Sequence, residues 1–547
     1  MKAQEQTECP LGPPPAERLV ARNIVSVKAE LHRRVDELLE GCEERAAEGA
    51  STGDLERAVG AAVGFIGQQM IALVFARACQ QAMLEDMRER GLSFRNVRLR
   101  SDKDGYATVH TTFGPVTFPI FAYRDMTRPL GAVTRCPARR LFPFHRKCRS
   151  SPLCLEWEAR LGAQHPFRKA EELFQFFTRG ASTVEDNTIS RHILQLSSIV
   201  DPDWLYRKPE EIREILVRRA TRDTETGQPL LYLSTDAHAL RRYVGATWAT
   251  NWKMINGIRL WCEDATTGDL IHFGGEFTWG DCRAVGARIK ELVEAGILPG
   301  RNGPWSEVDA QVVFVSDGAE WIVDHVIFPL LGDATVILDP YHVLERIAEM
   351  AEQVHGAGKP QAKALIRRFR ELLLGTRKTS CTAEAKPRRG HRKRRGARNL
   401  HAHDHHHPRS TDQENDHRRA LAKPGAMTAA LLDLLAEVPV TTAGQEKAVS
   451  ALAESLAKNC LRMDYELYLR RGMQIGSGAM ESMHRSASQR RTKLPGAWME
   501  ETSLAVLRLR MLELSGRWDE FWMQPDIVKH LAHAFNSSQP EERRCAA

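Results

Sequence analysis

Three short apolar runs in this chain each end on an aspartate: LLYLSTD closes on Asp236, VVFVSD on Asp317 and TVILD on Asp339. Runs bounded in this way read as buried strands that deliver a carboxylate at or near their ends. Acids converging from separate elements suit phosphodiester chemistry with two divalent ions. Hard Mg²⁺ ions take carboxylate and water oxygens, and two of them ~3.5–4 Å apart can clamp the attacking and leaving oxygens together. Asp236 and Asp317 fit two such ligands. A third acid must come from elsewhere.

Glu481 is the candidate, within IGSGAMESMHRSASQRRTKLPGAWM at 475–499. As a capping residue it is awkward: with Ser477 as N-cap the capping glutamate belongs at position 480, which is Met480. With Gly478 as N-cap, Glu481 would fall in register and the bland reading would survive. Helical spacing places Glu481, Arg485, Ser488 and Thr492 on one face, with Arg490, Arg491 and Lys493 just beyond. A metal ligand near a helix start, followed by cations along its length, suits a bound phosphate backbone. Glu320 and Asp324 read as helix charges after Asp317, and Asp333 is a further acid close by in sequence. His238 reads as structural, pointing to the same side of its strand as Asp236. Trp321 and Trp498 could stack on bases, but packing is the default for tryptophan.

The elements that must position these acids follow from periodicity. NWKMINGIRLWCEDATTGDLIHFGGEFTW reads as a hairpin turning near Thr267 and Gly268, and DCRAVGARIKELVEAG as a helix. The order from Leu230 is strand, strand, strand, helix, strand, helix, strand, helix, which is a mixed sheet with helices packed on it. Towards the N-terminus, two helical stretches precede a small β-meander at 93–135, broken at Asp104-Gly105 and Gly114-Pro115. Short helices follow, and the pair joined through GASTVEDNTIS permits a helix-turn-helix. The expected segments are 1–92 helical, 93–135 meander, 136–225 helical, 226–345 first part of the sheet core, 346–471 helical insertion, and 472–547 last core helix with C-terminal helices.

Composition is that of a soluble globular chain: 547 residues, 42% hydrophobic and 27% charged, which excludes a wholly disordered or membrane-spanning protein. AAVGFIGQQMIALVFARA from Ala61 carries Gln68, Gln69 and Arg77 and reads as a buried helix. The start of the chain has no apolar signal segment, so a cytoplasmic location is expected. Eleven cysteines lack paired spacing; Cys136, Cys148 and Cys154, with His145, could bind zinc, but not in the spacing of a zinc ribbon. The net charge of +7 points only weakly to a polyanion. Its distribution says more. Within 376–424 lies KPRRGHRKRRGAR, followed by a cluster of His401, His403, His405, His406 and His407; such a tract cannot pack and is expected to be a disordered loop contacting DNA.

The set STD at 234–236, VSDGAEWI at 315–322, ILDPYHVLERI at 337–347, and GSGAMES followed by RRTKLPGAWM resembles bacterial insertion-sequence transposases of the DDE class, most closely the Kra-type family. The resemblance is specific over about 230–344 and 472–499. It implies an α/β fold: an RNase H-like mixed-sheet catalytic core interrupted by a helical insertion, with a mostly helical N-terminal DNA-binding region. It also implies Asp236, Asp317 and Glu481 as catalytic, metal-binding triad, and Asp339 and His342 as an Asp-x-x-His signature at the DNA, with Arg485, Arg490, Arg491 and Lys493 as further DNA contacts. The expected cofactor is a pair of Mg²⁺ ions, with Mn²⁺ as the alternative. The expected partners are double-stranded DNA, as element ends and target, and a second copy of the chain when assembled; no membrane is expected, and the location is the bacterial cytoplasm at the nucleoid. The 81 residues between Asp236 and Asp317, and the 164 between Asp317 and Glu481, leave room for an inserted domain. Two other readings share the residues: a domesticated DNA-binding protein without catalysis, and an RNase H-like nuclease that transposes nothing.

Overall fold

The computed structural model describes residues 29, 32–33, 35–37, 39–99, 106–127, 134–142, 148–244, 249–301, 303–305, 310–318, 322–374, 423–492 and 496–536. The Arg/His-rich tract and its histidine cluster, His145, Glu320, Trp321 and Lys493 lie outside them. The chain divides into two compact units, 1–201 with 501–513 and 518–547, and 202–500 with 514–517. This grouping is coarser than the six expected segments, and most of the C-terminal helical part packs with the N-terminal unit.

In the first unit, α1 (Thr52–Glu89) starts at an N-cap, Ser51, whose hydroxyl accepts from Asp54 N–H. It is apolar on two opposite sides. One side, with Ala76, Cys79, Met83 and Met87, forms a core with Val109, Val116, Phe118 and Phe142. The other leaves Val59, Val63, Met70 and Val74 exposed. The expectation of a buried helix is therefore corrected: among the described residues α1 is long and apolar enough to cross a membrane by length and composition, and only 6% of its most apolar window is buried.

The expected meander is instead two nested ladders. β1 (Val97–Leu99), β2 (Tyr106–Thr111), β3 (Gly114–Pro119) and β4 (Tyr123–Asp125) pair as β2 with β3 and β1 with β4, both antiparallel. Thr111 Oγ1 donates to Gly114 O at 2.8 Å and closes a tight turn, so the inner strands pair together and the outer ones are left for each other. Three helices follow, α2 (Pro152–Gln164), α3 (Phe167–Phe177) and α4 (Asp186–Ser197). The connection between α3 and α4, residues 178–185, is longer than the turn of a compact helix-turn-helix. Gly162 of α2 lies against α4: a Cβ there would come within 2.3 Å of Ile193 Cδ1 and 2.8 Å of Ile189 Cγ2. Gly162→Ala is expected to cost about 1–3 kcal/mol by overpacking, read as a lower urea midpoint with an unchanged slope.

The three zinc-candidate cysteines do not form one group. Cys136 lies near Cys79. Cys148 and Cys154 are buried beside Glu158, which is itself 0% exposed and accepts from Ser150 Oγ at 2.9 Å, Cys154 Sγ at 3.3 Å and His192 Nδ1 at 2.5 Å. Burial pushes the Cys148 thiol up to about 12, so it is held as a neutral thiol.

The second unit carries strands over the runs read from the sequence, except that the first continues to Tyr243 and so holds Asp236 near its middle instead of at its end. After α5 (Pro209–Arg219) come β5 (Leu230–Tyr243), β6 (Thr250–Glu263), β7 (Leu270–Trp279), α6 (Cys282–Glu294), β8 (Gln311–Ser316) and β9 (Thr335–Leu338). They form one five-stranded mixed sheet in the order β7-β6-β5-β8-β9. The β5–β6 and β6–β7 pairs are antiparallel; β5–β8 and β8–β9 are parallel. The fold is thus the expected mixed α/β arrangement, in the expected element order. α7 (Pro340–His355), α8 (Pro360–Leu374), α9 (Ala426–Ala436), α10 (Ala443–Lys458) and α11 (Tyr465–Arg470) follow. Their apolar faces share one continuous core with the sheet, from Tyr232, Trp261, Val313 and Ile337 to Phe369, Leu431, Leu456 and Tyr465. The described helices of the expected insertion form no separate globule.

Candidate functional site

β5 and β8 run parallel, and their last registered pair is Ser234 with Val315. Asp236 and Asp317 each lie two residues beyond that pair; Asp236 is still within β5, and Asp317 directly follows the last residue of β8. The partner of Asp236 on its other side is Gly257. Over that glycine crosses α12 (Gly478–Met483), the helix of Glu481. A Cβ on Gly257 would meet Met480 Cε at 2.4 Å and Met483 Cε at 2.9 Å. The absence of a side chain at Gly257 is what lets α12 lie close to the sheet beside Asp236.

The electrostatics report the convergence. Burial raises the Asp236 carboxyl above its ordinary range, and the negative charges of Asp317 and Glu481 raise it further; a hydrogen bond from Ala237 N–H and the nearby His342 pull the other way. The Ala237 N–H to Asp236 Oδ1 distance is 2.7 Å. Glu481 is half-exposed, with Arg485 Nη2 3.9 Å away. The rival acids Asp324 and Asp333 are exposed, and neither is among the charges that shift Asp236.

Ser477 is the N-cap of α12, but its hydroxyl does not cap the helix. It donates to Asp339 Oδ2, as does Ser477 N–H at 2.7 Å. Asp339 also caps α7, accepting from Tyr341 N–H through Oδ1 at 2.7 Å. Asp339 is 1% exposed. The expectation that Asp339 touches DNA is corrected: both its oxygens are committed to backbone and hydroxyl groups, and it ties the start of the Glu481 helix to the end of β9. His342, in the first turn of α7, lies near enough to Asp236 to pull its carboxyl down. Its Nδ1 lies 3.1 Å from Glu345 Oε2.

The cations sort differently from the helical-wheel expectation. After Met483 the helix passes into a π-helical turn, His484–Gln489, before Arg490–Thr492. The wider turn breaks the 3.6-residue repeat, so the single face expected for Glu481, Arg485, Ser488 and Thr492 is split. Glu481, Arg485 and Arg490 are exposed, while Ser488 and Thr492 are buried. Arg491 is buried as well, a second correction to the expected DNA contacts. Its guanidinium stacks 4.6 Å above the Trp498 ring, and burial pulls it down to about 10. Trp498 also donates Nε1–H to Thr492 O at 3.3 Å, so it packs within the fold.

Sequence reasoning missed His484. It is 2% exposed, with Nε2 3.4 Å from Asp236 Oδ2. Its ring meets those of His238 at 4.6 Å and Phe277 at 5.6 Å. His238 in turn pairs through Nε2 with Ser488 Oγ at 2.6 Å. The signal was the Glu-x-x-His spacing, which puts His484 one turn after Glu481. His484→Ala is expected to leave the fold intact and to weaken Mn²⁺ binding about 10–100-fold, measured by paramagnetic broadening; His484→Gln should recover part of it.

Among the described residues, no three His, Cys, Asp or Glu side chains stand close enough to hold one ion. The donor chemistry nonetheless suits a divalent cation: burial raises Asp236, and the charges of Asp317 and Glu481 raise it further, which a bound cation would offset. Pairs of carboxylates completed by water and phosphate oxygens are the usual Mg²⁺ arrangement.

No family model matches the chain, and no curated protein does. Among solved structures it is similar to a Drosophila P element transposase strand transfer complex, at 11% identity and a TM-score of 0.28, with 66% of this chain and 92% of that one covered. A likeness so slight carries no argument, and the functional reading rests on the site.

Proposed function

We propose that the chain is a DDE-class transposase of the Kra type, which binds the ends of its insertion sequence and carries out metal-dependent DNA cleavage and strand transfer on an RNase H-like core. The observation that carries this reading is the placement of Asp236 on β5 and Asp317 directly after the neighbouring parallel strand β8, with the Glu481 helix crossing over Gly257 beside Asp236. The strand order, with three antiparallel strands followed by two parallel ones, supports the core assignment.

Asp236, Asp317 and Glu481 would hold two Mg²⁺ or Mn²⁺ ions. When bound, such ions activate a water or a 3′-hydroxyl and stabilise the leaving oxygen in an in-line displacement. The chain's own groups do the rest. Asp236 is fixed by Ala237 N–H and by the buried wall of His484 and Phe277. Asp339 braces the helix that carries Glu481. Exposed Arg485 and Arg490, with Lys493 and His342, would receive the phosphate backbone, a sequence-independent attraction that salt weakens. The active form would be a dimer or larger on DNA, in the bacterial cytoplasm.

The test is incubation of the purified protein with DNA carrying the inverted repeats that flank its reading frame, with and without Mg²⁺. Nicking at the repeat ends and joining of the 3′ ends to a second duplex are expected, both lost with a chelator. Cleavage without joining would reduce the protein to a nuclease, and binding without cleavage to a DNA-binding protein.

A further inference from the structure

We propose that the outer side of α1 pairs with the same side of α1 in a second copy of the chain, antiparallel and about a two-fold axis, in the absence of DNA. The inference goes beyond the reading above, since it needs neither the acids nor a nucleic acid.

Glu56, Val59, Val63, Met70, Val74 and Arg77 of α1 are exposed. The four apolar ones are 45% to 60% exposed and lie on the side away from the Ala76, Cys79, Met83 and Met87 core. Successive members are three, four, seven, four and three residues apart. At 3.6 residues per turn, all six fall within an arc of about 60°. The order of steps is the same from either end, and its midpoint lies between Ile66 and Gly67. With a two-fold axis at that point, Val59 meets Val74 of the second copy, Val63 meets Met70 of the second copy, and every contact is made twice. Phe113, in the β2–β3 turn, packs on Gly67, where a Cβ would come within 2.5 Å of its Cδ1. Being 38% exposed, its ring adds apolar surface at the middle of the strip.

Charge selects both the partner and the direction. Glu56 stands at one end of the strip and Arg77 at the other, so antiparallel pairing sets an acid against a base at both ends. Parallel pairing would set acid against acid and base against base, which disfavours it. Arg57, next to Glu56, is already paired with Asp54 at 2.6 Å. A different protein as partner would require no such symmetry of the strip; a second copy does. A bilayer would need the helix apolar all round. α1 instead gives its other side to the core, Gln68 Nε2–H donates to Pro115 O, and the Arg179 guanidinium lies against Gly60.

The experiment is sedimentation equilibrium of the full chain without DNA or detergent. A concentration-dependent dimer is expected. Glu56→Arg and Arg77→Glu should each weaken it about tenfold, because each sets like charges together at both ends, and the double reversal should recover the parent affinity. Val63→Asp combined with Met70→Asp should weaken it at least about a hundredfold. All variants are checked for unchanged thermal unfolding as dilute monomers. A monomeric parent, a dimer indifferent to the single reversals, or a double reversal that recovers nothing would each overturn the proposal. A monomeric parent that floats with phosphatidylcholine vesicles would assign this side of α1 to lipid and overturn it as well. No nicking is read, so failure of the proposed function leaves the result standing, and the reverse holds too.

Discussion

Asp236→Asn is expected to lower the rate of Mg²⁺-dependent nicking by about a thousandfold or more, equivalent to ~4 kcal/mol of transition-state stabilisation. The substitution keeps the shape and the one backbone contact, since an amide oxygen can accept from Ala237 N–H as the carboxylate does. It removes a charge that Asp317 and Glu481 both oppose. Stability should therefore hold or rise slightly while activity vanishes. The pair of measurements is single-turnover nicking and thermal unfolding of the same preparation. Nicking at the parent rate would take Asp236 out of the chemistry; a large drop in stability would mean that the carboxylate serves the fold. Glu481→Gln should follow the same pattern, because it contributes charge from a half-exposed position with Arg485 Nη2 3.9 Å away.

Asp339→Ala is expected to act in the reverse order, through the fold first. It would leave Tyr341 N–H and Ser477 N–H without their acceptor in a place where Asp339 is 1% exposed. Each orphaned donor costs about 1–3 kcal/mol, and the lost helix cap lies within that range, so the sum is on the order of 3 kcal/mol. The urea midpoint should fall at constant slope. Cleavage should fall about 10–100-fold under conditions where the variant is folded, because the start of the Glu481 helix loses its tie to β9. Ser477→Ala should cost less, since its N–H keeps the bond to Asp339 Oδ2. A residue that simply touched DNA would behave otherwise: weaker DNA binding with an unchanged midpoint.

What could be read from the sequence was what has a short period. The runs ending at Asp236, Asp317 and Asp339 are strands because consecutive apolar and β-branched residues have few other places to go in a core this size, and the strand–helix order followed from them. The helix carrying Glu481 was legible from its glycine-bounded start. Beyond one turn the reading failed, because nothing in HRSASQ announces that the backbone takes a π-helical turn there. That single change of pitch buried Arg491, Ser488 and Thr492. Asp339 was misplaced for a different reason: a buried cap and an exposed ligand look alike until the partner loop, 138 residues away at Ser477, is in view. The nested ladders of the first unit and the exposed side of α1 are likewise products of pairing and packing, which composition does not encode locally.

The seat of α12 has a mechanical consequence. Asp236 is held within β5, paired with Gly257, and Asp317 directly follows β8, whereas the helix bearing Glu481 rests on that glycine through the methyl ends of Met480 and Met483. Unbranched side chains of that kind slide and re-fit at small cost. The seat of α12 on the sheet can therefore re-fit around its methionines, while the Asp339–Ser477 bonds hold its start to the end of β9.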